Sequence, residues 1–205
     1  DPREIVTTWE YFGDNKLKKK SFSDTTPDVD LTYDHLGRLA TAANGTDTLS
    51  WTYDRNSQVL SEASTKNSST VSYTYDQVGN RRTTSLNGTP FVSYAYDNAL
   101  RLEAITRGAN VFSFDYDLAS RRTSMVYPNG IATTYAYDTE SRLERLTAKL
   151  GTSIVTDFQY TYNAVGNRTE KETPDLTETY AYDRVDQLLE VVRTGTGANR
   201  WHYGY

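Results

Sequence analysis

The sequence has 205 residues, of which 37% are hydrophobic, with a formal net charge of −5. That length suffices for one large domain or two small ones with a real core. The acidic balance gives no support to a nucleic-acid footprint, and the absence of cysteine rules out disulfides and thiolate metal sites. No apolar stretch approaches the ~20 residues of a membrane helix, and no signal-peptide pattern opens the chain.

The apolar content is unusual in kind: 17 Tyr and 3 Trp stand against 6 Phe and 1 Met. Together with abundant Val and Thr, this composition favours strands. In chain order the first element is Trp9-Glu10-Tyr11, a degenerate copy of a repeating unit, trailed by a basic run from Lys16 to Lys20 that reads as a solvated strand end. From there a Tyr-Asp anchor recurs at Tyr33, Tyr53, Tyr75, Tyr96, Tyr116, Tyr137, Tyr162 and Tyr182, with gaps of 20, 22, 21, 20, 21, 25 and 20 residues. Tyr11 lies 22 residues before Tyr33, and the last residue, Tyr205, falls 23 after Tyr182 where a tenth anchor belongs. Self-similarity at such a period marks a repeat architecture, so residues 1–205 are expected to form one continuous array. Tyr205 stops in mid-motif, and a fragment of a longer array is expected.

Two residues before the anchor comes an aromatic in nearly every copy. These pairs make the predicted aromatic ladder: Trp51 and Tyr53, Tyr73 and Tyr75, Tyr94 and Tyr96, Phe114 and Tyr116, Tyr135 and Tyr137, Tyr160 and Tyr162, Tyr180 and Tyr182. The position between is small or polar, as in Thr52, Thr74, Ala136 and Thr161. Strict alternation is a strand with one aromatic and one hydrophilic face, and rings stacked two residues and one repeat apart are expected to form ladders.

The anchor is followed by Asp34, Asp54, Asp76, Asp97, Asp117, Asp138, Asn163 or Asp183, and three residues later Gly37, Gly79 and Gly166 appear. Asp first and Gly last suit a type I turn whose carboxylate accepts backbone N–H bonds. Leu100 breaks the pattern at the final position. A second strand then begins, as in Gly37–Ala42, with less regular apolar spacing, so bulges are expected there. Asn44-Gly45, Asn87-Gly88 and Asn129-Gly130 are hairpin turns closing the other end; Pro174-Asp175 and Thr194–Gly197 do so more loosely. The predicted fold is therefore all-β, an antiparallel meander of about nine hairpins in a curved open sheet of roughly 18 strands. Unpaired edge strands would invite self-association.

Once-per-repeat carboxylates are turn caps rather than catalysts or ligands, because general acid–base chemistry needs one close pair and a calcium loop needs several carboxylates in one short segment. His35 sits inside a turn and His202 at the far end, which supports no triad. Arg38, Arg81, Arg101, Arg121, Arg142 and Arg168 recur after the turn, where pairing with the Asp is expected. Asn44, Asn67, Asn87 and Asn167 match the glycosylation acceptor pattern, which turn formation alone explains. No catalytic, cofactor or metal residue is predicted.

TYDHLGRL (Thr32–Leu39), YTYDQVGNR (Tyr73–Arg81) and YPNGIATTYAYDTESRL (Tyr127–Leu143) resemble YD repeats of the RHS type. The resemblance covers the whole chain. It implies a strand-built spiral shell, which in bacterial polymorphic toxins and insecticidal toxin complexes encloses a C-terminal toxin; related arrays occur in the extracellular part of teneurins. It implies a non-enzymatic container or spacer in a large secreted or cell-surface protein, with flanking repeats and a cargo as partners. The family's Pro-rich, Asp-Pro self-cleavage segment has no match: the only Asp-Pro is Asp1-Pro2. Self-cleavage and toxin activity therefore carry over to no residue. A second reading makes the exposed rings a carbohydrate- or surface-binding module.

Overall fold

A computed structural model describes residues 5–204. The described chain is all-β and divides after Ala95 into two compact units. The first holds β1 (Thr7–Tyr11), β2 (Leu17–Phe22), β3 (Val29–Tyr33), β4 (Leu39–Ala43), β5 (Thr48–Tyr53), β6 (Val59–Ser64), β7 (Ser69–Tyr75), β8 (Arg81–Leu86) and all but the last residue of β9 (Thr89–Tyr96). The second holds β10 (Leu102–Arg107), β11 (Asn110–Tyr116), β12 (Arg122–Val126), β13 (Ile131–Tyr137), β14 (Leu143–Leu150), β15 (Ser153–Tyr162), β16 (Arg168–Thr173), β17 (Leu176–Tyr182), β18 (Leu188–Gly195) and β19 (Asn199–His202). Within each unit consecutive strands pair antiparallel, the open meander that the period-two alternation demands. The Asp1-Pro2 dipeptide and the anchor Tyr205 lie outside the described residues.

Every Asp-turn has one construction. In the first full copy the Asp34 N–H donates to the Arg38 carbonyl at 2.8 Å and the Gly37 N–H to the Asp34 carbonyl at 2.9 Å. Gly37 has φ +80°. This is the three-residue hairpin loop that ends on a left-handed residue. The same place is left-handed at Ser57, Leu100, Ser120, Ser141 and Asp186. Leu100 is thus no exception to the turn; it occupies, with strain, the place where Gly fits freely.

A bulge follows the loop in seven copies. Tyr33 pairs with Leu39 but Thr32 pairs with Thr41, leaving Ala40 as the extra residue. The shift recurs at Tyr53, Tyr75, Tyr116, Tyr137, Tyr162 and Tyr182. Such bulges bend the strand and raise its twist.

The opposite turns are more varied than the Asn-Gly dipeptides suggest. Asn87-Gly88 has positive φ at both residues, 49° and 78°, a type I′ turn. Asn129-Gly130 instead closes the Asp-turn loop type, with Gly130 N–H donating to Tyr127 O at 2.9 Å. Gly108 and Gly151, each with φ +58°, begin two-residue loops with positive φ at the first position only, a type II′ signature. The residue pattern does not mark these two, because a lone glycine after a charged or apolar residue is a weak signal.

Among the described residues almost nothing is fully buried. Ala148 and Val191 are the buried apolar residues, and Thr133 and Glu178 the buried polar ones. In every full copy the rings at the anchor and two before it are half-buried, whereas the position between is exposed; in the degenerate first copy Trp9 and Tyr11 are exposed. The aromatic face is where the packing is concentrated.

Candidate functional site

The anchor tyrosines share one role. The hydroxyl of Tyr33 donates to Leu17 O, Tyr53 to Leu39 O, Tyr75 to Val59 O, Tyr116 to Leu102 O, Tyr137 to Arg122 O, Tyr162 to Leu143 O and Tyr182 to Arg168 O, all at 2.8–2.9 Å. Each acceptor opens the second strand of the preceding repeat. The reason lies in the register. The ladder between repeats covers Thr41↔Ser50 to Ala43↔Thr48 in the β4–β5 pair and does not extend to Leu39. Arg145↔Gln159 is the corresponding last pair in β14–β15, short of Leu143. The bulge sends the strands apart, a carbonyl is left without a ladder partner, and the tyrosine side chain reaches back to satisfy it. Phenylalanine would fill the space but leave the carbonyl orphaned, which explains why the anchor is Tyr while the position two before it tolerates Trp51 and Phe114.

Arginines make the second set of stitches. Asp34 Oδ1 accepts N–H bonds from Leu36 and Arg38 at 2.9 Å, and its Oδ2 takes Arg38 Nε at 2.7 Å. Arg38 Nη1 then donates to Asp54 O of the next turn at 2.8 Å, and its guanidinium carbon lies 4.5 Å from the Tyr53 ring centre. Arg101 repeats this on Asp97, Asp117 O and Tyr116. Arg142 repeats it on Asp138, Asn163 O and Tyr162. Arg121 holds Asp117 and reaches Ser141 Oγ at 3.0 Å, with Tyr137 beneath it. In Asp54's turn Gln58 substitutes, its Nε2 donating to Gly79 O at 2.9 Å. Arg81 and Arg168 fall one residue later than these, and their guanidinium groups lie over the rings of Tyr73 and Tyr180, at 4.2 and 4.5 Å.

This arrangement differs from a ring-on-ring ladder for a geometric reason. Ring-bearing strands alternate with the second strands of hairpins, so rings of successive repeats stand two strands, roughly 9.6 Å, apart. That exceeds ring-pair range, and the strand between supplies a guanidinium as the filler. One pair of two-residue neighbours, Phe158 and Tyr160, stacks with ring centres 6.3 Å apart. On the opposite face hydroxyls pair across strands, Thr32 with Thr41, Thr52 with Ser61 and Thr74 with Thr83, each at 2.6 Å.

The carboxylates are committed to structure. Hydrogen bonds from the Arg101 side chain and backbone hold Asp97 below the usual carboxylate range, and the Arg121 backbone N–H leads the same effect at Asp117. Burial pushes Asp138 up, but Arg142 outweighs it. Glu178, 6% exposed, is the one buried charge among the described residues. Burial pushes its carboxyl up, yet bonds from Arg193, Lys171 and the Tyr180 hydroxyl hold it at about 2. Tyr180 is pushed up to about 12 by burial and by that carboxylate. No sequence signal marked this network, because Lys171, Glu178 and Arg193 sit on three adjacent strands in register. His202 Nε2 lies 3.2 Å from Glu190. Among the described residues no group of His, Asp and Glu is arranged to hold a metal, and no helix is long and apolar enough to cross a membrane.

Three comparisons place this geometry. No curated protein matches the sequence significantly. Among solved structures, TcdB2-TccC3-Cdc42 superposes with a TM-score of 0.75 at 18% identity, covering 92% of this chain and 12% of that one. The Photorhabdus luminescens Tc holotoxin pore with the TccC3 mutation D651A gives a TM-score of 0.69 at 16% identity, covering 97% of this chain and 14% of that one. The chain thus spans about one-eighth of these solved chains, and at such identities they share its fold. The family model described as Teneurin YD-shell matches residues 41–148. With more than half its length matched and the Tyr-Asp hairpin repeated throughout, the chain belongs to the teneurin YD-shell family.

Proposed function

We propose that the chain is a non-enzymatic wall segment of a large secreted or surface-displayed RHS/YD-repeat protein, and that the wall encloses a C-terminal cargo such as a toxin. The observation that carries this reading is the stitch between repeats. The hydroxyls of seven anchors and the turn arginines Arg38, Arg101, Arg121 and Arg142 bond to the adjacent repeat, a contact that further copies can repeat, as in other quasi-one-dimensional repeat proteins. The resemblance in fold to Tc toxin chains supports a shell; enclosure is the step beyond it.

The test is protease protection in the parent polypeptide. Sequence following the array should resist digestion while enclosed and be cleaved when a repeat, residues 97–116, is deleted. Equal cleavage of the intact and deleted forms would reject enclosure. A carbohydrate-binding role is the second reading, favoured by the exposure of Trp9 and Tyr11, 54% and 59%. Saturable glycan binding lost on substituting Tyr94 and Tyr96 with Ala would support it over enclosure.

A further inference from the structure

Six residues after the anchor, the second unit alternates an apolar residue with arginine: Leu102, Arg122, Leu143, Arg168, Leu188. These two arginines differ from the turn arginines, each of which holds its own turn's carboxylate at 2.6–2.7 Å. Among the described residues Arg122 and Arg168 have no carboxylate partner. The Arg122 guanidinium lies 4.5 Å from the Tyr135 ring centre, and that of Arg168 sits between Tyr160 and Tyr180 at 5.6 and 4.5 Å. The Nε of each is buried and without an acceptor. A half-buried cation with an orphaned N–H carries a desolvation cost that ring contact offsets only in part.

The same face shows what a carboxylate does there. Glu178 gathers Lys171 at 3.1 Å, Arg193 at 2.5 Å and the Tyr180 hydroxyl at 2.9 Å. Where the chain supplies no acid, two half-buried guanidinium groups are left without an ion pair among the described residues. They begin β12 and β16, four strands apart across a continuous ladder, which is about 19 Å. An extended chain covers that distance in about six residues.

We propose that the aromatic face of the second unit binds an acidic polypeptide segment whose carboxylates dock on Arg122 and Arg168. Two cations so far apart match the sparse charge of a polypeptide better than a nucleic acid, with its closely spaced phosphates. Identifying that segment as part of an enclosed cargo rests on the function proposed above; the binding does not.

The test uses the whole chain and a fluorescein-labelled Gly/Ser peptide carrying two Glu-Glu pairs about six residues apart, with a Gln-Gln version as control. Anisotropy should show saturable, salt-sensitive binding of the Glu peptide only. The double variant Arg122→Leu/Arg168→Leu should bind it at least about tenfold more weakly. Leucine already fills this position at Leu102, Leu143 and Leu188, so the variant keeps its fold, checked by circular dichroism. Arg184→Leu, in an exposed turn, should bind as the parent does. The proposal is overturned by unsaturated binding at about 1 mM peptide, by undiminished affinity in the double variant, or by a single-stranded oligonucleotide outcompeting the peptide through the same arginines. Absent peptide binding with intact protease protection would reject this inference and leave enclosure standing.

Discussion

Replacing Tyr162 with Phe keeps the ring, its packing and its strand preference, and removes one hydroxyl. That hydroxyl donates to Leu143 O at 2.8 Å, beyond the last β14–β15 pair at Arg145↔Gln159. Losing the bond costs about 1 kcal/mol net, and stranding a part-buried carbonyl raises this towards about 2 kcal/mol. For a chain of this size each kcal/mol moves the melting temperature by roughly 2–4 °C, so a fall of about 4–8 °C is expected. In urea the midpoint should drop at unchanged slope. Tyr160→Phe is the control, since that position is already Phe at Phe114 and the Tyr160 hydroxyl makes no hydrogen bond within the described chain; its cost should stay below about 0.5 kcal/mol. Combining Tyr116→Phe, Tyr137→Phe and Tyr162→Phe should be close to additive, because the sites share no partner. If Tyr162→Phe is neutral, or no worse than Tyr160→Phe, the hydroxyl–carbonyl stitch is not what selects tyrosine at the anchor.

Leu100→Gly should stabilise the protein by about 1 kcal/mol, read as a raised urea midpoint, because Leu100 holds φ +62° where glycine is unstrained. Gly195→Ala should lose about 2–3 kcal/mol in the same assay: its φ is +93° and an added Cβ would run into the backbone carbonyl of Asp175. Acid should soften the second unit. Glu178 is held at about 2 against an ordinary 4.5, so its contribution is present above the ordinary value and lost as pH falls towards 2. The amount is about 3 kcal/mol, and Asp97, Asp117 and Asp138 act in the same direction. Urea midpoints between pH 5 and 2, as bracketed by these values, should fall less steeply in Glu178→Gln than in the parent; identical slopes would contradict the network.

Much of the fold was legible in the residues because its rules are local. Alternation around Tyr73-Thr74-Tyr75 requires a strand whose neighbouring side chains face opposite ways, and Asp76 through Gly79 can only turn. The turn at Leu100 was legible in position but not in conformation, since nothing in a leucine announces a positive φ. The candidate site was half legible. Asp97 and Arg101 are four residues apart in one loop, so their pairing could be expected. The partner of the Tyr116 hydroxyl, Leu102 O, lies 14 residues back on another strand, and its selection depends on where the inter-repeat ladder stops.

The period, the aromatic face, the turns and hence an all-β meander can be read from the residues alone, because each follows from steric preferences spanning at most a few residues. Packing across strands sets the rest: guanidinium groups rather than rings fill the gap between repeats, and a bulge strands a carbonyl for the anchor tyrosine to satisfy. Those outcomes depend on strand spacing and register between segments some 14 to 21 residues apart, distances over which a residue's own preferences carry no information.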